Sequence, residues 1–267
     1  MGKITYIMYH TKNARFCAVL MLMAFAILSF AAPFQAQANS KYASLVIDSD
    51  SGKVLHASNA NANRYPASLT KMMSLYMLFE ALKEGRVGMG TKMKVSKKAA
   101  SMPQTNISLK KGQKIAVRDA IKALIVRSAN DVAVVVGEHL GKTEWGFAIK
   151  MTKKAKKLGM RNTTFRNASG LPDSKQVSTA RDLAVLATAL KRHFPEYYYF
   201  FKTTKFTWKG KTYNSHNRVM KQLDGADGLK TGYIRASGFN VATSVRRDGR
   251  NIVAIVLGGK TSKKRDA

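Results

Sequence analysis

An almost uninterrupted apolar stretch between Leu69 and Leu82 constrains this chain more than any other feature of its sequence. Apolar residues fall on nearly every side of a helix drawn through this stretch, and such a helix is stable only when other elements surround it. The apolar positions are Met72, Met73, Leu75, Tyr76, Met77, Leu78, Phe79 and Leu82. The chain is therefore predicted to build its core around one buried central helix.

Hairpin patterns lie on both sides of this helix, towards the two ends of the chain. Apolar residues from Tyr42 to Ser58 flank a turn that contains Gly52, and the segments 239–245 and 252–257 flank Asp248-Gly249, a strong turn signal. Further helical patterns cover 117–126, 132–140 and 179–194. These patterns predict an α+β domain, in which an antiparallel sheet is built from both chain ends and a helical subdomain lies between.

The first 38 residues have the layout of a secretory signal peptide. A basic start is followed by an apolar run from Cys17 to Ala32 and by the small-residue site Ala36-Gln37-Ala38, so we expect an exported protein that begins near Asn39. The alternative is an uncleaved membrane anchor, although the run is shorter than the roughly 20 residues that a span needs. Cys17 is the only cysteine, which excludes a disulfide in the mature protein.

The chain is strongly basic, with a formal net charge of +31. Such a charge favours polyanions as partners, but export removes the protein from nucleic acid, and the sequence has no aromatic-rich basic motif. An anionic cell-wall polymer or the outer face of the cytoplasmic membrane is then the expected partner surface, in the periplasm or at that membrane. The alternative is a set of solvated basic faces without a specific partner.

Ser68 and Lys71 stand three residues apart at the start of the apolar helix, which places both side chains on one face. A partly desolvated lysine has a lowered pKa and can act as a base towards the serine hydroxyl, and the helix N-terminus favours negative charge there. The S-x-x-K pattern alone is weak evidence, because Ser108 begins a second match. Ser108 lies in a polar stretch without helical periodicity, so Ser68 is the candidate nucleophile.

Two further short motifs follow in the chain. Ser128-Ala129-Asn130 separates two helical patterns, where its side chains either point into a cleft or simply cap the second helix; Ser215-His216-Asn217 has the same pattern. Lys230-Thr231-Gly232 follows Asp227-Gly228, which we interpret as a turn. The alternative for this motif is a basic edge strand, since lysines commonly protect such edges.

The three motifs in this order resemble those of penicillin-binding proteins and class A β-lactamases. The runs 65–73, 167–172 and 227–233 resemble the low-molecular-mass penicillin-binding proteins, the serine-type D-alanyl-D-alanine carboxypeptidases, and the similarity covers about residues 42–259. The resemblance implies a serine β-lactamase/penicillin-binding-protein-like fold. It also implies peptidoglycan pentapeptides as substrates, β-lactams as covalent inhibitors, and no cofactor.

The resemblance also implies a role for each matching residue. Ser68 would attack the carbonyl between the two D-alanines with Lys71 as general base, and Ser128 would relay a proton to the leaving D-alanine. The substrate-binding residues would be Asn130, which holds the acyl-side amide, Lys230 and Thr231, which bind the terminal carboxylate, and Gly232 and Tyr233. Backbone N–H groups of Ser68 and Tyr233 would form the oxyanion hole.

Several features set this chain apart or leave alternatives open. The family usually continues into a further domain, whereas here a catalytic domain at 39–259 is followed by a basic tail at 260–267, so a truncation is one explanation. The stretch 163–169 lacks the glutamate with which class A β-lactamases activate water.

The five histidines are far apart, so no metal site is expected, and His216 is interpreted as structural. The alternatives are a D,D-endopeptidase, a β-lactamase and a non-catalytic wall-binding protein.

Overall fold

A computed structural model describes residues 41–266. The main sheet has five antiparallel strands in the order β2-β1-β9-β8-β7, and two small hairpins, β3-β4 and β5-β6, lie outside it. The strands are β1 (Ala43–Asp48), β2 (Val54–Ser58), β3 (Lys92–Lys94), β4 (Lys114–Ala116), β5 (Lys205–Trp208), β6 (Lys211–Asn214), β7 (Ala226–Ile234), β8 (Gly238–Arg247) and β9 (Arg250–Gly259).

The sheet joins the two ends of the described chain, as the sequence predicts. Strand β1 pairs antiparallel with β9, from Ala43 opposite Leu257 to Asp48 opposite Ile252. Both predicted hairpins are present, because β1 pairs with β2 and β8 with β9. The predicted α+β arrangement, with helices between the two groups of strands, is confirmed.

Four long helices cover this sheet or form the helical part of the domain: α1 (Lys71–Lys83), α2 (Asn130–Gly141), α3 (Glu144–Lys157) and α4 (Ala180–His193). Shorter helices span Lys97–Ala100, Val117–Lys122, Pro195–Tyr198, Val219–Gln222 and Ser262–Asp266. Two 3₁₀ turns span Ala67–Thr70 and Tyr199–Lys202, and a π-helical turn spans Ala123–Arg127. In the described residues, no helix combines the length and the apolar character that crossing a membrane requires. The predicted signal peptide lies outside these residues.

Helix α1 is the buried central helix that its sequence predicts. Met72, Leu75 and Phe79 have no exposed surface, and the helix packs against α2, α3 and α4. Burying a large apolar side chain contributes roughly 1.5–3 kcal/mol, so this helix is a main source of stability. Its N-terminus is fixed in space by that burial, and the 3₁₀ turn that carries Ser68 leads directly into it.

Some local expectations were wrong. The segment 117–126 is helical as expected, but its α-helical turns change at Ala123 into the π-helical turn that runs to Arg127. Asp227-Gly228 is not a turn but lies inside β7, at an irregularity in the pairing with β8. Neither Ser128 nor Asn130 caps α2, whose N-cap residue Ala129 makes no side-chain hydrogen bond. Their side chains are therefore available to the cleft.

Candidate active site

A cavity of about 660 Å³ opens beside the edge strand β7. It brings together most of the residues that the sequence singled out: Ser68, Ser128, Asn130, Thr231, Gly232 and Tyr233 line it. The remaining two, Lys71 and Lys230, are almost completely buried next to these residues. The cavity is also lined by Gln104, Thr105, Gly170, Leu171, Ser215, His216, Arg218, Ile234, Phe239, Ser262 and Arg265. No Asp or Glu of the described chain is among the lining residues.

The side chains of Ser68 and Lys71 meet as their spacing predicts. Ser68 lies on the 3₁₀ turn, one turn before the first residue of α1, and its Oγ is 3.2 Å from Lys71 Nζ. Ser108, the first residue of the other S-x-x-K match, lies in a loop and does not line the cavity. The arrangement singles out one serine with a lysine within hydrogen-bonding distance.

Besides Ser68, the Lys71 amine contacts two groups that can only accept hydrogen bonds. Its Nζ donates to Asn130 Oδ1 at 2.8 Å and to the Ser169 carbonyl at 2.5 Å. Burial lowers the pKa of Lys71 well below its usual range, and the nearby charge of Lys230 lowers it further, while Asp131 has a smaller opposing effect. A neutral amine uses its two N–H groups on the two acceptors, so its lone pair remains for the Ser68 hydroxyl.

The orientation of the Asn130 amide follows from its surroundings. Asn130 Nδ2 donates to the Pro103 carbonyl at 3.1 Å, which turns Oδ1 towards Lys71, and Asn130 N donates to the Thr105 carbonyl at 2.7 Å. The neighbouring Asp131 carboxylate is buried and accepts from the backbone of Ile107. It also accepts from the backbone N–H groups of Leu109 and Val132. The 103–109 loop therefore fixes the Ser128–Asn130 segment against the cleft.

Ser128 occupies an unusual position. Its backbone is left-handed, with φ +61°, a conformation that costs a non-glycine residue about 1–3 kcal/mol. Its Oγ is buried and has no hydrogen-bond partner among the described residues, although its carbonyl accepts from Thr105 Oγ1 at 2.8 Å. A strained residue with a free hydroxyl in a cleft can supply that hydroxyl to a bound molecule.

Lys230 is a second buried lysine, only 2% exposed, on strand β7. Its Nζ donates to the carbonyl of Thr231 at 2.8 Å, and burial, with a smaller effect of Arg265, lowers its pKa to about 7. Although β7 is an edge strand, Lys230 points inwards and does not protect that edge. A buried ammonium next to the Thr231 hydroxyl suits the binding of a carboxylate.

Two glycines leave room for the backbone around Ser68. A Cβ on Gly232 would lie 2.9 Å from Ser68 N and 3.3 Å from Ala67 Cβ. A Cβ on Gly170, whose φ is +85°, would lie 1.9 Å from the Ala67 carbonyl oxygen. Strand β7 and the 167–172 loop thus pack against the two sides of the Ala67–Ser68 backbone. The buried Asn240 of β8 adds hydrogen bonds from its Nδ2 to the carbonyls of Tyr65, at 3.0 Å, and Pro66, at 3.2 Å.

Sequence reasoning missed the cations at the far end of the cavity. The final residues, expected as a basic tail, form the helix Ser262–Asp266 against β8 and β9, and both Ser262 and Arg265 line the cavity. Arg218 donates to Ser262 Oγ at 2.7 Å, and Asp266 pairs with Arg265 at 2.5 Å. The basic composition of residues 260–267 was the only sequence signal for these cations, because the helix Ser262–Asp266 contacts residues that are distant in the sequence.

The structure also shows where His216, possible metal ligands and Asp173 lie relative to the cavity. His216 also lines the cavity, and burial together with the charges of Lys230 and Arg127 lowers its pKa. Within residues 41–266, no three His, Cys, Asp or Glu side chains are grouped so that they could hold a metal ion. Asp173, the acid nearest in sequence to the 163–169 stretch, lies 3.6 Å from Arg166 and does not line the cavity.

Comparison with known proteins agrees with this geometry. Residues 30–261 match the family model of peptidase S11, described as D-alanyl-D-alanine carboxypeptidase. The D-alanyl-D-alanine carboxypeptidase DacF of Bacillus subtilis is 34% identical over an alignment 260 residues long, which covers 93% of this chain and 66% of that protein. This chain thus spans slightly less than two thirds of the length of that relative.

Solved structures share the fold. The D-alanyl-D-alanine carboxypeptidase DacD from Francisella tularensis superposes with a TM-score of 0.81 at 29% identity, over 84% of this chain and 67% of that one. Penicillin-binding protein D2 from Listeria monocytogenes, solved in an ampicillin-bound form, gives a TM-score of 0.73 at 31% identity, over 84% and 91%. These neighbours confirm the predicted penicillin-binding-protein-like fold. The chain belongs to the peptidase S11 family of D-alanyl-D-alanine carboxypeptidases.

Proposed function

We propose that this protein is a serine D,D-carboxypeptidase, which removes the terminal D-alanine from peptidoglycan stem peptides through an acyl-enzyme on Ser68. The observation that carries the proposal is the set of contacts around Lys71. Two acceptors, Asn130 Oδ1 and the Ser169 carbonyl, take its N–H groups, and its pKa is lowered by burial. Its lone pair is then directed at the Ser68 hydroxyl, as a general base requires.

In the acylation step, Lys71 accepts the Ser68 proton while Ser68 Oγ attacks the carbonyl carbon between the two D-alanines. Backbone N–H groups of Ser68 and Tyr233 stabilise the oxyanion. The peptide C–N bond then breaks, and the free hydroxyl of Ser128 relays the proton from the Lys71 ammonium to the departing amine. Water then hydrolyses the acyl-enzyme ester with neutral Lys71 again as the base, which releases the shortened peptide and restores Ser68. Asn130 has one amide N–H engaged by Pro103, so its other N–H can hold the acyl-side amide of the substrate.

The cationic end of the cavity gives the proposal its substrate class. Lys230 and Thr231 bind the terminal carboxylate, and Arg218 and Arg265, both paired with Asp266, also line the cavity. A carboxylate there raises the proton affinity of Lys230 and so keeps its ammonium charged. This preference for a free C-terminal carboxylate favours a carboxypeptidase.

The lining of the cavity also bears on the fate of penicillin. Rapid hydrolysis of a penicillin acyl-enzyme needs a base that can activate water while the opened β-lactam fills the cleft, and no carboxylate of the described chain lines this cavity to serve as one. The opened β-lactam keeps its leaving group attached and obstructs the approach of water, whereas D-alanine departs. We therefore expect penicillin to stay bound to Ser68 and D-alanine release to exceed penicillin hydrolysis by orders of magnitude.

The decisive experiment is intact-mass measurement after exposure to labelled penicillin. One adduct should form, map to Ser68, and disappear in Ser68→Ala. Ser108→Ala is the matched control, because it removes the other S-x-x-K serine and should leave the adduct intact. An adduct elsewhere, or none, contradicts the proposed chemistry, and rapid sustained penicillin turnover would favour a β-lactamase.

The pH profile tests the role of Lys71. Because the base must be neutral, the acylation rate should fall as the pH drops through the lowered pKa of Lys71. Lys71→Arg should lose acylation, since a guanidinium does not release its proton. A rate that stays flat through mildly acidic pH, or near-normal acylation by Lys71→Arg, would remove Lys71 from this role.

Substrate panels separate the remaining alternatives. A D,D-endopeptidase would release products from cross-linked muropeptides faster than D-alanine from pentapeptides. A non-catalytic wall-binding protein would release neither, and Ser68→Ala would not change its binding.

We also propose that the enzyme acts outside the cytoplasm, in the periplasm or at the outer face of the cytoplasmic membrane. N-terminal sequencing of exported material, with Asn39 as the expected first residue, tests this proposal.

A further inference from the structure

The outward side of helix α3 differs in character from the rest of that helix. Its inner side is buried through Phe147, Ala148, Met151 and Ala155. Its outer side, which we call the α3 face, consists of Trp145, Ile149, Lys150, Lys153, Lys156 and Lys157, all exposed. The sole acid of the helix, Glu144, is buried and pairs with Lys98 at 2.7 Å. The α3 face therefore presents cations and apolar side chains without a carboxylate.

The lysines of this face are not neutralised by neighbouring acids. Across residues 41–266, no carboxylate lies within ion-pairing distance of Lys150, Lys153, Lys156 or Lys157. Lys150 Nζ donates to the Leu140 carbonyl at 3.0 Å, which holds this ammonium beside the helix. Such a cluster repels itself and is best stabilised by an external polyanion.

A small cavity of about 260 Å³ lies beside the α3 face. Its cations are Arg86, Lys150, Lys153, Lys154 and Lys157, and its other lining residues are Met77, Glu80 and Leu140. Glu80 is engaged by Lys154 at 2.5 Å, and Arg86 by Glu84 at 2.6 Å. The remaining three lysines are left for an anion, such as one phosphate group.

Two large apolar side chains are exposed on the same face, one helical turn apart. Trp145 is 47% exposed and Ile149 is 53% exposed. The Arg166 guanidinium lies over the Trp145 ring at 4.1 Å, which fixes the indole at the surface. Exposed Trp and Ile beside lysines on an amphipathic helix are the combination found where helices lie in a membrane interface.

We propose that the α3 face docks on the anionic phospholipid headgroups of a membrane surface. The lysines bind the phosphates, and Trp145 and Ile149 enter the boundary between headgroups and acyl chains. A soluble anionic wall polymer would satisfy the lysines but would not bury the two apolar side chains. None of these residues lines the catalytic cavity, so the proposed docking uses a surface separate from the residues of that cavity.

The experiment uses the exported protein and vesicles of phosphatidylglycerol with phosphatidylcholine, or of phosphatidylcholine alone. The triple variant Lys150→Gln, Lys153→Gln, Lys157→Gln should weaken partitioning to the anionic vesicles by about a hundredfold, because each lysine near such a surface contributes about a fivefold gain. The matched control is Lys92→Gln, Lys94→Gln, Lys114→Gln, which removes the same charge from the exposed side of the β3-β4 hairpin. It should weaken partitioning less than tenfold.

Fluorescence reports insertion directly. The chain has two tryptophans, so Trp208→Phe leaves Trp145 as the remaining one, and its emission should shift to the blue on anionic vesicles. Ile149→Gln should weaken binding severalfold, and that loss should persist at high salt, where the lysine contribution is screened. Every variant should keep the penicillin adduct, which controls for folding and separates this test from the proposed catalytic function.

Three results would overturn the proposal. Equal losses in the two triple variants would mean that only total charge matters. Absence of binding to anionic vesicles would exclude a lipid partner. Binding without a shift of Trp145 emission, unchanged by Ile149→Gln and displaced by soluble polyphosphate, would instead assign the α3 face to an anionic polymer.

Discussion

Replacing Lys230 by methionine should stabilise the folded protein most at neutral pH and least near pH 10. Lys230 is 2% exposed, and burial together with Arg265 lowers its pKa to about 7. Folding therefore forces this lysine either to lose its proton or to bury its charge. Methionine has a similar length and no proton to lose, so it avoids that cost.

The magnitude follows from the two pKa values. In the unfolded chain Lys230 titrates near 10.5, and in the folded protein near 7. Between these values the unfolded state binds a proton that the folded state does not, so the free energy of unfolding rises with pH, by about 1.4 kcal/mol for each pH unit. Below pH 7 both states hold the proton and this slope vanishes. The stability advantage of the methionine variant should thus shrink by about 4 kcal/mol between pH 7 and pH 10.

Equilibrium urea unfolding at pH 7, 8, 9 and 10, with constant ionic strength, measures this change. Groups that do not feel the charge of Lys230 are present in both proteins and cancel in the difference, which leaves Lys230 itself and its weaker coupling to Lys71 and His216. Lys92→Met, at an exposed position of β3, is the control and should show a difference that is independent of pH. A flat difference for Lys230→Met as well would refute the reasoning, because Lys230 would then titrate like an ordinary lysine.

Three further results are expected at the candidate site. Gly232→Ala should slow penicillin acylation about a hundredfold, because the new Cβ would displace the backbone nitrogen of Ser68. The control is Gly90→Ala, whose Cβ would meet nothing within 4 Å and should leave the rate unchanged. Ser128→Ala should reduce D-alanine release at least a hundredfold. It should not lower the unfolding free energy, since the buried Oγ has no partner to lose among the described residues and alanine removes the cost of burying it. Binding of a carboxylate-bearing substrate analogue at pH 8 should be accompanied by the uptake of about one proton, which calorimetry in buffers of different ionisation enthalpy detects. Lys230→Met should take up no proton. Equal uptake by both proteins would contradict the role of Lys230.

The parts of the fold that the sequence predicted are those with a strong local signal. The all-round apolar pattern of α1 and the Asp248-Gly249 turn each depend on adjacent residues only. Helix α3 was missed because its buried stripe is narrow, with Phe147, Met151 and Ala155 in a lysine-rich segment. Strand β7 was misjudged at Asp227-Gly228 because a turn-like dipeptide is compatible with a bulged strand when a neighbouring strand supplies the pairing.

The candidate site also has a part that local sequence predicts and a part that depends on contacts between distant segments. Ser68 and Lys71 are three residues apart, so helical geometry alone brings their side chains together. The partners that orient Lys71 come from 59 and 98 residues away, and their arrangement depends on the packing of α1, α2 and the 167–172 loop. The residues in the 103–109 loop that hold Asn130 and Asp131 have no motif at all. The sequence predicted which groups meet, whereas only the fold determines their orientation.

The two buried lysines meet opposite requirements in one cavity. In the proposed mechanism Lys71 must be neutral to accept the serine proton and Lys230 must be charged to hold a carboxylate, yet burial disfavours the charged form of both. A substrate that places its carboxylate beside Lys230 and Thr231 would distinguish them, because that carboxylate would stabilise the ammonium of Lys230. A charged Lys230 in turn lowers the pKa of Lys71. In the proposed mechanism, binding of the substrate carboxylate therefore charges Lys230, while burial keeps Lys71 neutral, because the carboxylate offsets the effect of the Lys230 charge on Lys71.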